Sequence, residues 1–292
     1  MRIARVPSAP LRPFVRELWL TDQRSFRSFD ERRREVMLPS GNTQIAFRLS
    51  DAPLRLLEPG PGAGSQGFVG PVVAGPRSTA YVKCAAAASY SIGAELRPGA
   101  TRALLDASAL ALADRHVKLS DFWGTAAGEI LMRLQEASTP ARALDALEAA
   151  ICERIGAQRA LHPAIDYALA RLAQSDRVDA VVRDVGFSHR HFCELFKHAT
   201  GLTPKRYFRV KRFQRAQGVA FHTEYSLARI AAATGFSDES HLIRDFADAC
   251  GMTPTAYRKL ARESAHGTRV ASSARMEWQP LRSVHFLHAL TP

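Results

Sequence analysis

Residues 189–193 read His-Arg-His-Phe-Cys, and two histidines and a cysteine within five positions invite metal ligation. On a helix, His189 and Cys193 share a face at i and i+4, while His191 points elsewhere. No third and fourth ligand stands nearby in the sequence, so exposed positions on a helix account for the cluster better than a metal site does. The four cysteines, Cys84, Cys152, Cys193 and Cys250, are widely spaced. That spacing fits neither a disulfide framework nor structural zinc, and it suits a reducing cytoplasm. No glycine-rich phosphate loop precedes a Lys-Ser or Lys-Thr, and no serine nucleophile elbow occurs. The sequence offers no catalytic set, so neither an enzyme nor a cofactor nor a metal is expected.

The elements that carry these residues are duplicated. "GFSHRHFCELFKHATGLTP", residues 186–204, returns 49 residues later as "GFSDESHLIRDFADACGMTP". Aligned on Phe196 and Phe246 the later halves match at an offset of 50, so the second turn is one residue longer. The shared positions are those a local fold needs: an apolar stripe, a glycine at the left-handed C-cap, a capping Ser or Asp, and Thr-Pro at the next helix start. A short helix before each copy, "DAVVRDVGFS" and "YSLARIAAATGFS", completes two helix-turn-helix units. The differing positions point outward: His189, Arg190, Cys193, Glu194 and Lys197 against Glu239, Ser240, Ile243 and Arg244. Two helices that read different base sequences from one scaffold have this pattern. A purely structural repeat is the alternative, although solenoids need three or more copies.

A helix with Thr203 as cap and Pro204 in its first turn joins the copies. It carries Lys205, Arg206, Arg209, Lys211, Arg212 and Arg215 without one acid between them, and Tyr207, Phe208 and Phe213 are expected to face the core. Such a run is a solvated face or a phosphate-binding one, and both readings stand at this point. His162-Pro163 opens the first helix of this all-helical region, with Ile165, Ala168, Leu169 and Leu172 on one side.

The first hundred residues read as strands and turns. "EVMLPSGNTQIAFRL" has two apolar runs around a turn, a hairpin signal. "EPGPGAGSQG" reads as loop, and "FVGPVVAGP" and "AYVKCAAAASYSIGAEL" follow as strands of a barrel or sandwich. The period then turns helical. Residues 125–136 pair with a helix that begins at Pro140 behind Ser138-Thr139, and the pair serves as a dimer seam or covers one face of the barrel. Residues 1–123 are expected to form a β-rich sensing domain, 124–159 a helical hairpin, linker or dimerisation element, 160–262 the reader, and 263–292 a tail that starts flexibly and docks through "WQPLRSVHFLH". The fold class is α+β.

Charge agrees with a polyanionic partner. The chain carries a formal +12, of which residues 160–262 hold 16 basic and 10 acidic side chains. No apolar run is long enough for a membrane span, and "MRIARVPSAPLRPF" has no apolar segment behind it, so it is not a secretory signal.

"SLARIAAATGFSDESHLIRDFADACGMTPTAYRKL" resembles the signature segment of AraC-type transcription regulators, and "GFSHRHFCELFKHATGLTPKRYFRVKRFQRAQ" resembles the first half of the same DNA-binding domain. The resemblance implies a sequence-specific regulator with two helix-turn-helix units joined by a long helix. It implies base reading by His189, Arg190, Cys193, Glu194, Glu239, Ser240 and Arg244. Phosphate contact would come from Ser188, Lys197, Lys205, Arg206, Arg209 and Ser237. Glu194 stands where many members carry arginine, which leaves the first unit weaker or aimed at a different base; a pair with Lys197 or His198 also fits it. Further upstream, "LPSGNTQIAFRL", "GPVVAGP", "ELRPGATRALL" and "VKLSDFWG" are similar to an uncharacterised cupin-like β-rich domain. A cupin metal site needs two or three histidines and a carboxylate on neighbouring strands. Residues 1–159 hold His116 alone, in a segment reading as helix or loop. The implied partners are promoter DNA, a small effector and RNA polymerase, with no membrane, as monomer or homodimer. A non-catalytic scaffold whose helices contact protein is the rival reading.

Overall fold

Alternation of apolar and polar residues builds the first half of the chain from short antiparallel strands. The computed structural model describes residues 1–24, 34–51, 53–57, 65–84, 89–155, 162–172, 178–265, 278–279 and 288–289. In chain order come β1 (Arg2–Arg5), a 3-10 turn (Ala9–Leu11), β2 (Val15–Asp22), β3 (Arg34–Met37), β4 (Gln44–Arg48), β5 (Leu54–Leu57), β6 (Ser65–Phe68), β7 (Val72–Ala74), β8 (Tyr81–Cys84) and β9 (Tyr90–Leu96). Helices α1 (Ala100–Leu105) and α2 (Ala109–Leu112), strand β10 (His116–Lys118), then α3 (Ser120–Trp123), α4 (Ala126–Gln135) and α5 (Pro140–Cys152) complete this half. Six strands form one sheet in the order β1-β2-β9-β4-β7-β10, and four form a second, β3-β8-β5-β6.

The six-stranded sheet buries one face completely. Leu18, Leu20, Ile45, Phe47, Ile92 and Ala94 lie against Leu104, Trp123, Ile130, Leu144, Leu147 and Ile151 in one core. The hairpin α4–α5 therefore covers one face of the sheet, one of the two roles expected of it. Thr139 caps α5 as its sequence suggests, its hydroxyl accepting from Arg142 N–H at 3.2 Å.

Two local expectations are corrected. The run around Pro39-Ser40-Gly41-Asn42 is not a hairpin: β3 pairs with β8, whereas β4 lies between β9 and β7 in the other sheet. Gly41 adopts a left-handed φ of 69°, and the corner carries the chain from one sheet to the other. His116 is on a strand, β10, not in helix or loop. Burial pushes its imidazole pKa down to about 3, so it is neutral, and its ring meets Tyr81 edge-on at 4.9 Å. Of the Gly-Pro-rich segment, 58–64 lie outside the described residues, while Ser65–Phe68 form the edge strand β6, where glycine is tolerated.

The second half is helical: α6 (Pro163–Leu172), α7 (Val178–Val185), α8 (His189–Thr200), α9 (Pro204–His222), α10 (Leu227–Thr234), α11 (Glu239–Cys250) and α12 (Pro254–Ala265). Helix α9 is the spine. Its Tyr207, Phe208 and Val210 join the core of α6–α8, and its Phe213, Ala216 and Ala220 join that of α10–α12. No helix among the described residues is long and apolar enough to cross a membrane. In the tail, β11 (Trp278–Gln279) pairs with β12 (His288–Ala289) and lies beside β3.

The two halves share structure. Val36 and Val82 of the four-stranded sheet sit in the α10–α12 core. Ala80 N–H donates to Ala249 O at the end of α11, and Gly99 N–H donates to Ala199 O at the end of α8. From α9, Lys211 Nζ reaches Ser40 O at 3.3 Å, and Gln214 Nε2 reaches Pro39 O at the same distance. Burial pushes the Lys211 pKa down to about 8. Because this is lower than in the unfolded chain, Lys211 by itself makes stability rise with pH between 8 and 10.5, while the buried Cys250 thiol, pushed up to about 12, opposes the rise above pH 9. The Lys211 contribution, at most about 1.4 kcal/mol per pH unit, is therefore the expected difference between the thermal-melting pH profiles of wild type and Lys211→Met. An identical pH profile in both proteins would contradict the buried ammonium.

Candidate nucleic-acid interface

Each recognition helix is set by the same local devices. Gly186 and Gly235 end α7 and α10 with φ of 70° and 83°, a conformation that favours glycine. Ser188 then caps α8, its Oγ accepting from His191 N–H at 3.3 Å. Asp238 caps α11, accepting from His241 N–H at 2.7 Å. The extra residue of the second turn is thus placed: the cap is Asp238, and Ser237 precedes it. Backbone and hydroxyl donors hold the Asp238 carboxyl below its usual range. At the far ends, Gly201 and Gly251 again adopt positive φ. Thr203 and Thr253 cap α9 and α12 from equivalent positions.

Inward, Phe192 and Phe196 on α8 and Leu242 and Phe246 on α11 are 0–1% exposed. Outward, His189, Arg190 and Glu194 share one exposed face, with Cys193 half-buried beside them. Glu239, Ser240 and Arg244 are exposed on α11, and Arg244 Nε donates to Ser240 O at 3.3 Å. The partner of Glu194 is Arg190, at 3.3 Å one turn away, rather than Lys197 or His198. His198 is engaged by Ser108 at 3.1 Å. Cys193 Sγ lies 3.7 Å from His189 Nδ1, but burial pushes its thiol up, away from the thiolate a metal needs. Among the described residues no three metal-capable side chains converge.

Of the expected phosphate contacts, Ser188, Lys205 and Arg206 are exposed and Lys197 is half-buried. Ser237 Oγ is used internally, at 2.9 Å from Asp238 Oδ2 and 3.1 Å from His241 Nδ1.

The sequence family described as "Helix-turn-helix domain" matches residues 181–260. The regulatory protein PocR of Salmonella typhimurium is 31% identical over 103 residues, 35% of this chain and 34% of its own. The transcriptional activator RhaS of Escherichia coli is 35% identical over 81 residues, 28% and 29% of the two chains. The chain carries an AraC-type helix-turn-helix domain. It spans about a third of the length of these relatives. Residues 4–118 match a domain of unknown function (DUF6597). Over the whole fold, the apo structure of ToxT K231A from Vibrio cholerae is similar at a TM-score of 0.47 and 12% identity, covering 87% of this chain and 99% of that one.

Within the AraC-type domain, one set of residues escapes sequence reading. Asp245, on the inner side of α11, accepts from Arg212 Nη2 at 2.5 Å and Arg209 Nη2 at 3.0 Å, with His241 Nε2 at 3.6 Å. Arg212 also lies 4.5 Å from the centre of the Phe236 ring. Arg209, expected among the phosphate contacts, is engaged by Asp245 and, at 2.7 Å, by Asp248. The basic run is therefore divided: Lys205 and Arg206 face outward, while Arg209 and Arg212 fasten α11 to α9. The sequence signal was the position of Asp245, which aligns with apolar Leu195 in the first copy.

Proposed function

We propose that the protein is a sequence-specific, double-stranded-DNA-binding transcription regulator whose β-rich half senses a small effector. One observation carries the reading: two recognition helices with equivalent caps and cores present different exposed side chains from a single spine, α9. Conserving a scaffold while changing its outward face is what two base readers require. Residues 160–262 are the reader, 1–123 with the 124–159 hairpin the sensor. The protein acts without catalysis. Relatives named as regulators and activators support this reading, and so do the sensor's contacts with the ends of α8 and α11.

The test is selection of bound fragments from sheared genomic DNA by the purified chain, followed by footprinting. A footprint over two adjacent major-groove segments at defined promoters is the expected result. Salt-sensitive binding with no preferred site, by the full chain and by residues 160–262 alone, would leave the repeat as architecture and favour a scaffold. Phosphate contact makes a narrower prediction. Lys205→Ala should weaken all binding and lower the salt slope by about one, whereas Arg209→Ala, whose charge is already engaged, should change the slope less. Equal slopes for Lys205→Ala and wild type would remove Lys205 from the interface.

A further inference from the structure

The imidazole of His241, in the first turn of α11, joins three parts of the second reader. Its backbone N–H donates to the Asp238 cap at 2.7 Å. Its Nδ1 lies 3.1 Å from Ser237 Oγ, and its Nε2 lies 3.1 Å from Arg212 Nη2 on α9. The ring stands edge-on to Phe236 with centres 5.2 Å apart, and Phe236 is the ring over which the Arg212 guanidinium lies. The other arm of Arg212, Nη1, donates to Gly235 O at 3.4 Å. Spine, turn and recognition helix thus meet at one side chain.

These partners fix where the imidazole proton sits. A guanidinium only donates, so Nε2 accepts from Arg212, and in the neutral ring the hydrogen is then on Nδ1. Nδ1–H donates to Ser237 Oγ, and the Ser237 hydroxyl passes its own hydrogen to Asp238 Oδ2 at 2.9 Å. The relay runs from Arg212 through His241 and Ser237 to the carboxylate that caps α11. The other tautomer would set Nε2–H against an arginine N–H and leave it Asp245 Oδ2 at 3.6 Å, too far for a hydrogen bond. Its one gain is the long contact from Ser237 N–H, at 3.5 Å.

Protonation breaks the relay at its first link. A hydrogen on Nε2 faces the Arg212 donor, and the ring sets a second positive charge against the guanidinium. The other charged groups around the ring are Lys205 and Arg209 of α9 and Asp238 and Asp245 of the second reader; α7 contributes only the apolar Val178. Asp245 already accepts from Arg212 at 2.5 Å and from Arg209 at 3.0 Å, so an imidazolium competes with both arginines for one carboxylate. The first reader is built without this relay. His191 holds the equivalent position, edge-on to Phe187 at 5.0 Å and with its N–H on the Ser188 cap. Leu195 stands there in place of Asp245, and among the described residues no hydrogen bond or ion pair reaches the His191 ring.

We propose that His241 is a positioning residue of the second reader, which aims α11 only in its neutral Nδ1–H form, so that mild acid disables base reading by α11 and spares α8. The role deepens the regulator reading and rests on it. Histidine is the side chain that changes charge near neutral pH, so the effect falls where a cell could use it.

Binding of the full chain to its selected DNA site, and to that site scrambled in the segment read by α11, gives a ratio of affinities that cancels any general effect of pH. Between about pH 8 and pH 5.5 this ratio should fall about tenfold, the scale of one hydrogen bond to a charged group. The matching ratio for the α8 segment should hold. His241→Gln, whose Oε1 can accept from Arg212 but does not titrate, should keep the high ratio at both pH values. His241→Phe, which keeps the edge-on ring and loses both nitrogens, should show the low ratio at both. Nitrogen-15 NMR of the imidazoles, with His241 assigned by its absence from either variant, should show the Nδ1–H tautomer at the higher pH. A wild-type ratio independent of pH, the same acid loss in His241→Gln, or an Nε2–H tautomer would overturn the proposal. If neither scrambled segment weakened binding at the higher pH, the regulator reading itself would fall, and this role with it.

Discussion

Asp245→Ala is expected to destabilise the protein by about 3 kcal/mol and to abolish specific DNA binding while leaving the first helix-turn-helix unit folded. The side chains of Asp245 and Arg212 are 13% and 16% exposed. Taking one partner from such a pair leaves the other desolvated and uncompensated, which costs about 3–5 kcal/mol when burial is complete. Here the residual exposure and the Phe236 ring under Arg212 hold the loss to the lower end. The consequence for recognition is geometric. Asp245 collects Arg209 and Arg212, both from α9, onto α11, so it sets the angle at which the second recognition helix leaves the spine. Asp248→Ala is the control, because that carboxylate is 66% exposed and an exposed pair contributes about 1 kcal/mol at most. Urea unfolding and footprinting of both variants decide the matter. If Asp245→Ala behaved like Asp248→Ala, the bridge would be ornamental and the helix angle fixed by the apolar core alone.

This bridge also marks where sequence reading stopped. Helical periodicity, cap residues and C-cap glycines are local signals, so α7–α12 were legible almost to their ends. The extra residue in the second turn was visible too, though which hydroxyl or carboxylate caps α11 was decided only by geometry. Asp245 and the Arg209–Arg212 pair lie 33 and more residues apart, and their meeting depends on how α9 and α11 cross. Nothing local announces that. The β-rich half was less legible for the same reason. The runs at 35–38 and 44–48 alternate like a hairpin, but strand partners are chosen by distant segments, and these two strands belong to different sheets. His116 was unreadable as strand because β10 has three residues, too few for a period. The space between the two sheets was invisible: Glu17, Trp19, Arg48 and Glu95 look like the solvated side of ordinary strands, yet the second sheet and α9 face them.

Arg244→Ala is expected to weaken binding to the selected site by about 1–3 kcal/mol, roughly five- to 150-fold, and to flatten the preference at one base pair in the segment read by α11. Arg190→Ala should do less. Both arginines are exposed, but Arg190 is held by Glu194 at 3.3 Å and must exchange that carboxylate for a base edge, whereas Arg244 donates to its own helix backbone and is attracted by Asp238 without a direct ion pair among the described residues. The exchange costs Arg190 about 0.3–0.5 kcal/mol, the worth of an exposed i,i+4 pair. The alignment gives the sharper experiment. Glu194 and Arg244 occupy the same place in the two copies, so Glu194→Arg gives the first reader the cation of the second. If these positions read bases, selection from a randomised site should yield a new guanine preference in the first half of the footprint and leave the second half unchanged. Uniformly tighter binding with no new preference would show that residue 194 meets phosphate and not a base. Uniformly weaker binding of Arg244→Ala would say the same of the second unit.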